Sequence, residues 1–536
     1  MVNFFKKDQT RYSILLGYVA ILVILILLHS SCNTNRVTKK PNIIFILADD
    51  LGIGRFKAAI ENLPASSFTK EMEHRDKSMY SLEKSYRDGI KSISFLTNLA
   101  KDGLYFSNAF VSSSWCSPSR FSILTGKYPQ KDHIWISSDV MVGAVKEETR
   151  FLTELFQENG YATAAIGKWH LGNGKARGGM KPHQHPNKKG FDYYFGFDKS
   201  GTKYYNSSIL YRNTTKVKPD GFLTDQLSNE AINFITKNKE KPFFLYLPYN
   251  APHGPLYLAP KGYYRHFDKE KSFARNNIKT REVTDTLGTS TINNYNSHIY
   301  AMDFGIRRIQ QLLFDLNIDD NTIIVFTSDH GASGFATTPL PANSPYKGYK
   351  GQIEEGAMRV PLIFWGPGVI KNKGICDKMV MSFDIIPTLL KLAGISIPSS
   401  FNIDGKNIST YLYDDLKNVE EVHDHLVWAG LQTFNQCFQT NFKGLGKINY
   451  PNIHPGTWMI RNKNFTLRSN VIDGLQLTSN NFGDNTNYLS SYPEETKYLF
   501  NKYKLWFDNI AKKPLVFQET WDDTHYIHDQ ATVKEL

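Results

Sequence analysis

The sequence predicts an α/β fold: a large, mostly parallel sheet sandwiched by helices, with a smaller C-terminal antiparallel α+β subdomain. Three observations predict it. Uninterrupted apolar runs rich in β-branched residues recur along the chain, as strands covered on both faces require. Stretches with apolar residues every three or four positions lie between those runs, the alternation of an α/β layer fold. Near Leu426 the texture changes to short strand-like pieces between turns.

Residues 1–32 read as an export signal. Lys6, Lys7 and Arg11 form a basic region, and Ile14 to Leu28 an apolar one. That apolar run is shorter than the roughly 20 residues of a spanning helix. The LLHSSC that ends at Cys32 is similar to a bacterial lipoprotein cleavage site, although His29 stands where that pattern prefers an aliphatic residue. We expect a lipid anchor at Cys32, with an uncleaved anchor or ordinary secretion as alternatives. All three place the rest of the chain outside the cytoplasm, in the periplasm or at the cell surface.

Residues 33–40 are a polar linker. A catalytic domain is expected over 41–410 and a C-terminal subdomain over 411–536. Strands are expected at Ile43 to Leu47, Tyr161 to Gly167, Pro242 to Tyr249, Asn321 to Gly331 and Val360 to Gly368. FLTELFQENG, LSNEAINFITKN and AMDFGIRRIQQLLFDL carry helical spacing. The charged, helix-prone stretch from Phe56 to Ser92 reads as a surface insertion. LVWAGLQTF, TWMIRNKNFTLRS and GLQLTS supply the antiparallel pieces, and ETKYLFNKYKLWFDNIA a terminal helix.

Four cysteines in 536 residues exclude a disulfide scaffold; Cys376 and Cys437 are either a pair or two buried thiols. A formal net charge of +12 favours acidic partners, among them sulfated or phosphorylated polymers and anionic membranes. Paired zinc spacing and an aromatic-basic consensus are both missing, so nucleic acid is not an expected partner. On charge alone a solvated basic surface is the favoured reading.

In open α/β sheets ligands sit beyond the carboxyl ends of the strands. Asp49 and Asp50 follow the first strand, Asp329 and His330 follow the strand Ile323 to Thr327, and His253 follows the strand near Phe244. Adjacent carboxylates repel unless a cation lies between them, and a hard divalent ion with oxygen ligands meets that need. Helix capping explains one such pair as well; two pairs at strand ends favour metal. DDLGIG lacks the spacing of a dinucleotide fingerprint, and its carboxylates would repel a pyrophosphate. In GKWHLG, Lys168 and His170 are two apart, so on an extended strand end they face the same way. A cation beside an imidazole suits an anion site with a proton carrier. Lys350 lies in a Gly-rich loop, where a solvated lysine is the plainer reading. His183 and His185 form an HQH without further ligands at zinc spacing.

Cys116, in SSSWCSPSRFSILTG, has Arg120 nearby to lower its pKa. A thiolate beside a carboxylate metal site is a soft ligand in hard company, which suggests a residue that does not act as a thiol. Here the chain resembles the formylglycine-dependent (type I) sulfatases of the alkaline phosphatase superfamily. The resemblance rests on CSPSR with LTG, and on PNIIFILADDLG, GKWHLG, GFDYYFG, APH, TSDHG and KGQIEEGAMRVP in that order. It implies an alkaline phosphatase-like fold and a Cys116 oxidised to formylglycine (3-oxoalanine) by a formylglycine-generating or sulfatase-maturating enzyme. It implies that Asp49, Asp50, Asp329, His330 and the modified Cys116 hold one divalent cation, normally Ca2+. By the same resemblance Arg120 stabilises the hydrated aldehyde, and Lys168 and Lys350 bind sulfate oxygens. His170 takes a proton as sulfate leaves, and His253, with Lys350, serves the leaving oxygen. His330 stands where many members have asparagine, which leaves manganese or zinc open. Ala357 replaces a glycine, and the insertion after Arg55 replaces a short connection. The expected activity is hydrolysis of sulfate monoesters on sulfated oligosaccharides, from algal polymers such as ulvan or from glycosaminoglycans. The alternatives are a phosphonate or phosphate monoester hydrolase and a non-catalytic glycan-binding lipoprotein.

Overall fold

Asn42–Ala48 carries no charge and alternates two apolar faces, so it needs a covering layer on each side. The computed structural model describes residues 39–71, 82–135, 145–172, 179–218, 220–267, 291–333, 342–430, 457–470, 474–481 and 486–511. Within them Asn42–Ala48 is strand β1, and its side chains do divide between two cores. Ile44, Ile46 and Ala48 pack on one side with Leu227, Ile235, Met302 and Ile306. Ile43, Phe45 and Leu47 pack on the other with Phe121, Phe156, Ile386 and Leu389.

The further strands of the main sheet are β2 (Leu104–Phe106), β3 (Ala162–Lys168), β4 (Tyr193–Phe197), β5 (Phe243–Pro248), β6 (Thr322–Ser328), β7 (Leu362–Trp365) and β8 (Gly374–Cys376). Their order is β8-β2-β7-β6-β1-β5-β3-β4, followed by the short strands Tyr211–Arg212 and Thr215–Lys216. Strands β6, β1, β5, β3 and β4 run parallel, with Ile43 beside both Ile323 and Phe244. Strand β7 runs antiparallel to β6 and β2. Helices Leu223–Asn238 and Thr291–Asp315 cover one face, and helices Cys116–Thr125, Thr153–Glu158 and Ile385–Leu392 cover the other. This is the expected α/β sandwich, and each of the five expected strand runs holds an observed strand.

Only the start of the stretch Phe56 to Ser92 departs from expectation. Its first turn, in helix Gly54–Ala59, is core: Phe56 is buried with its ring 5.9 Å from that of Phe326. Helix Leu82–Ser92 packs on helix Thr291–Asp315. Charge alone misread that turn, because Lys57 is buried and spends its ammonium on Glu61 Oε2 (2.6 Å), and Arg55 just before it is buried against Asn296 Oδ1 (2.7 Å) and the Tyr295 ring.

The smaller sheet is an antiparallel meander of β9 (Leu426–Gly430), β10 (Thr457–Arg461), β11 (Phe465–Asn470) and β12 (Gly474–Ser479). Helix Pro493–Trp506 lies on it, with Tyr503 stacked on Trp458 at 4.0 Å between ring centroids. Its apolar cluster also takes in Phe110, Val111, Tyr128, Met358 and Val360 from the larger part, and Trp428 Nε1 donates to Val111 O at 2.6 Å. The chain from Pro41 onward is one compact unit. Helix Ser409–Tyr413 packs Tyr411 and Leu412 into the larger core. Cys376 is a buried free thiol. Cys437, Cys32 and the expected signal lie outside the described residues. Among the described residues no helix is long and apolar enough to cross a membrane.

Asp303, on the long helix, caps a neighbour rather than its own helix. Its carboxylate accepts from the backbone N–H groups of Phe95 (2.9 Å) and Leu96 (2.8 Å), at the start of helix Ser94–Asp102. Replacing it with alanine should cost about 1 kcal/mol or more of stability in urea unfolding. Burial raises its pKa to about 7 despite those bonds. The folded chain therefore holds a proton that the unfolded chain releases between about pH 4 and 7, so Asp303's contribution to stability falls as pH rises through that window. Wild type should gain on Asp303→Asn as pH drops from 7 to 4; a constant difference between their urea midpoints would contradict this.

Candidate active site

The parallel core strands all end at one edge of the sheet, and the sequence-predicted residues meet there. Strand β1 delivers Asp49 and Asp50, β3 delivers Lys168 and then His170, and β6 delivers Asp329 and His330. His253 follows β5. Because β7 runs antiparallel, its entry lies at the same edge, and that entry brings the loop holding Lys350. Cys116 is the first residue of helix Cys116–Thr125, which is buried along its whole length.

Neighbours on a strand point to opposite faces. The paired acids escape this because Asp50 is left-handed (φ 63°), a conformation Asp tolerates, which turns its side chain back towards that of Asp49. His170 is also left-handed (φ 57°), so it reaches the site through a turn and not along a continued strand. It makes a side-chain hydrogen bond to Cys116.

The charged groups pair closely. Lys168 Nζ donates to Asp49 Oδ2 (2.7 Å), and Lys350 Nζ to Asp50 Oδ1 (2.8 Å). Arg120 grips Asp329 Oδ2 through Nε (3.0 Å) and an Nη (2.9 Å), and donates to Lys168 O (2.8 Å). The same guanidinium lies 3.7 Å from Asp49 Oδ1. Cys116 Sγ is 3.2 Å from His330 Nε2 and 3.9 Å from Asp49 Oδ1. His253 Nε2 is 3.8 Å from Asp50 Oδ2, and its Nδ1 is 2.6 Å from Gly254 O. Asp49, Arg120, Lys168, Asp329 and His330 are fully buried.

Burial makes this balance matter. It pushes Asp49 well above the usual carboxylate range, further than Lys168 pulls it back, and Asp329 adds to the rise. Asp50 is pushed up by burial too, but Lys350, His253 and His330 hold it below its ordinary value. Asp329 is likewise held low, by His330 and Arg120 against burial. The Cys116 thiol would rise on burial, yet Lys168, Lys350 and His330 bring it well below the ordinary thiol. Burial lowers His330, but Asp329 and the Cys116 sulfur raise it to about 9. Burial, then Lys350, push His253 down to about 4.

Asp49, Asp50, Cys116 and His330 each bring a ligand atom within 4.8 Å of the others. Asp329 commits Oδ2 to Arg120, and its Oδ1 stands 3.5 Å from His330 Nε2. The donor set fits a divalent cation, since clustered carboxylates and a depressed thiol are what such an ion would neutralise. His183 and His185 do not converge: their Nε2 atoms meet Val145 O and Asn213 O. Two contributors carried no sequence signal, Tyr295 and Asn343. The Tyr295 hydroxyl donates to Asp50 O (2.8 Å) from a helix some 245 residues away.

The family model named Sulfatase matches residues 41–395. The chain belongs to the sulfatase family. It is therefore a sulfuric ester hydrolase. An uncharacterized sulfatase of Escherichia coli K12, YdeN, is 36% identical over 414 residues, covering 73% of this chain and 68% of that protein. Human N-acetylgalactosamine-6-sulfatase is 28% identical over 69% of this chain and 65% of its own. The crystal structure of Ps i-CgsB with k-i-k-neocarrahexaose matches with TM-score 0.67 and 27% identity, over 90% of this chain and 96% of that one. A phosphonate monoester hydrolase from Silicibacter pomeroyi shares the fold, at TM-score 0.56 and 16% identity over 90% of this chain and 100% of its own.

Arg120 is the one guanidinium among these groups, and two buried carboxylates face it. Arg120→Ala should cost about 3–5 kcal/mol in urea unfolding, because it strands those charges. A loss under 1 kcal/mol would show that the carboxylates are neutralised by other means.

Proposed function

We propose that this sulfatase removes sulfate from sulfated oligosaccharides by way of a formylglycine made from Cys116, with a divalent cation, normally Ca2+, beside it. One observation carries the reading: Cys116 Sγ is buried against His330 and Asp49 and within the field of Lys168 and Lys350. That sulfur stands among the carboxylates of a cation site, a soft ligand in hard company, which favours a residue that does not act as a thiol. The aldehyde hydrate would supply two hydroxyls on one carbon, one to attack sulfur and the other to drive elimination of sulfate. The cation, held by Asp49, Asp50, Asp329 and His330, would neutralise the carboxylates and draw charge from the ester; the imidazole keeps manganese and zinc in view.

The chain's own residues complete the chemistry. Lys168 and Lys350 hold the anionic ester oxygens where charge develops. Arg120, fixed by Asp329, offsets charge beside residue 116. His170, bonded to Cys116, takes the proton of the second hydroxyl. His253 gives a proton from Nε2 to the departing sugar oxygen. Burial and Lys350 hold its pKa down at about 4; an anionic ester beside it would favour the protonated form. Overall the ester and water yield an alcohol, inorganic sulfate and a proton.

The carbohydrate substrate is supported by the relatives. An ulvan-active sulfatase of Formosa agariphila is 30% identical over 59% of both chains. The exported, lipid-anchored location rests on the reading of residues 1–32 alone. The phosphonate hydrolase likeness is one of fold, and no observation at the site favours phosphorus over sulfur.

Coexpression with a maturation enzyme, then mass spectrometry of the Cys116 peptide, should show aldehyde in place of thiol. Sulfate release from a panel of sulfated oligosaccharides should vanish in Cys116→Ala and after chelation, and return on adding Ca2+. A Cys116→Ala variant that works at the parent's rate would end the proposal. His253→Ala should slow hydrolysis of alkyl sulfates about 10²–10³-fold, the size of a general-acid contribution. It should slow 4-nitrophenyl sulfate far less, since that leaving group needs no proton. Equal losses on both esters would remove His253 from the acid role.

A further inference from the structure

We infer that Asn343 is a positioning residue that clamps the Lys350 loop onto the two strand ends carrying the site's acids. Three segments meet at its side chain. Asn343 Oδ1 accepts from Ala332 N (2.7 Å), and Nδ2 donates to Ala332 O (2.9 Å) and to Gly348 O (3.1 Å). Ala332 lies two residues past His330. Its carbonyl also accepts from Lys350 N (3.1 Å), so one peptide serves both the clamp and the lysine. Both amide protons and the amide oxygen of Asn343 are used, and the side chain is buried.

The third segment is DDLGIG. Gly54 N donates to Ala342 O at 2.8 Å. A Cβ on Gly52 would lie 2.0 Å from Ala342 O and 2.4 Å from Asn343 Oδ1. A Cβ on Gly331 would lie 3.0 Å from that same oxygen. Gly331 meets a nearer obstacle, Gly356 O at 2.0 Å, so it is Gly52 that clears space for the clamp, which accounts for a glycine after Asp49-Asp50-Leu51 without any nucleotide. Alanine at 343 loses all three bonds. Aspartate keeps the acceptor for Ala332 N and loses both donors.

The functional half of this inference rests on the proposed sulfate-binding role of Lys350; the geometric half does not. The test uses the full-length matured enzyme with Asn343→Ala and Asn343→Asp, each alone and combined with Lys350→Ala. The first measurement is hydrogen exchange by mass spectrometry on peptides spanning 344–352. Faster exchange there in both variants, with the β10–β11 peptides unchanged, is expected; unchanged exchange at 344–352 overturns the clamp, whatever the activity. The second is kcat/KM on 4-nitrophenyl sulfate. Asn343→Ala should lower it about 10²-fold, the scale of a misplaced catalytic group, and Asn343→Asp by less. In the Lys350→Ala background the further loss should be under about 3-fold, since the group being positioned is already gone. Equal losses in both backgrounds overturn the inference. Should Asn343→Ala fail to fold, Asn343→Asp decides by the same two readings. A wild type that releases no sulfate would count against the proposed function, and exchange would still decide the clamp.

Discussion

The structure depends on a charge balance struck out of water. Asp49, Asp50, Asp329 and the Cys116 thiol face Arg120, Lys168, Lys350 and His330 with almost no solvent between them. In such a medium each unpaired charge is costly, so every cation is committed to a particular oxygen. Lys168 takes Asp49, Lys350 takes Asp50, and Arg120 takes Asp329. Asp49 remains the group that burial penalises most plainly, since Lys168 does not fully offset its surroundings. A divalent cation among these carboxylates would release Lys168 and Lys350 from Asp49 and Asp50 and leave both free to meet an anionic ester.

Much of the fold was legible because it rests on local pattern. The five apolar runs declared themselves as strands because both faces of β1, β5 and β6 are covered, leaving no polar alternation to confuse them. The stretch after Arg55 misled for the opposite reason. Its charge suggested solvent, while Lys57 at its start is buried on Glu61, next to an Arg55 that holds Tyr295 and Asn296 through contacts that span the chain. The shared core of the two sheets was equally hidden, since nothing in Phe110 or Val111 announces Trp428 as a neighbour.

The site divides the same way. Residues at strand ends, such as Asp49, Asp329 and Lys168, could be found because topology brings strand ends together. The reason for Lys168 and His170 was incomplete: alternation along a strand predicted their common direction, but a left-handed turn at His170 achieves it. Asn343 and Tyr295 went unseen because their work is done through backbone groups, and a side chain that holds a carbonyl leaves no motif. Lys350 was visible only in part, since its loop is placed by those same backbone contacts.

The polypeptide leading into Cys116 is roofed by residues more than 300 positions further along the chain. Val111 O is bonded by Trp428, and Phe110 lies in the cluster that Trp458 and Tyr503 complete. Without β10 to β12 that segment keeps its backbone partners, Met358 O for Val111 N among them, and loses the aromatic cover. The smaller sheet is thus tied to the segment before Cys116 through packing, so a substitution at Trp428 would be felt there without touching a single charged residue.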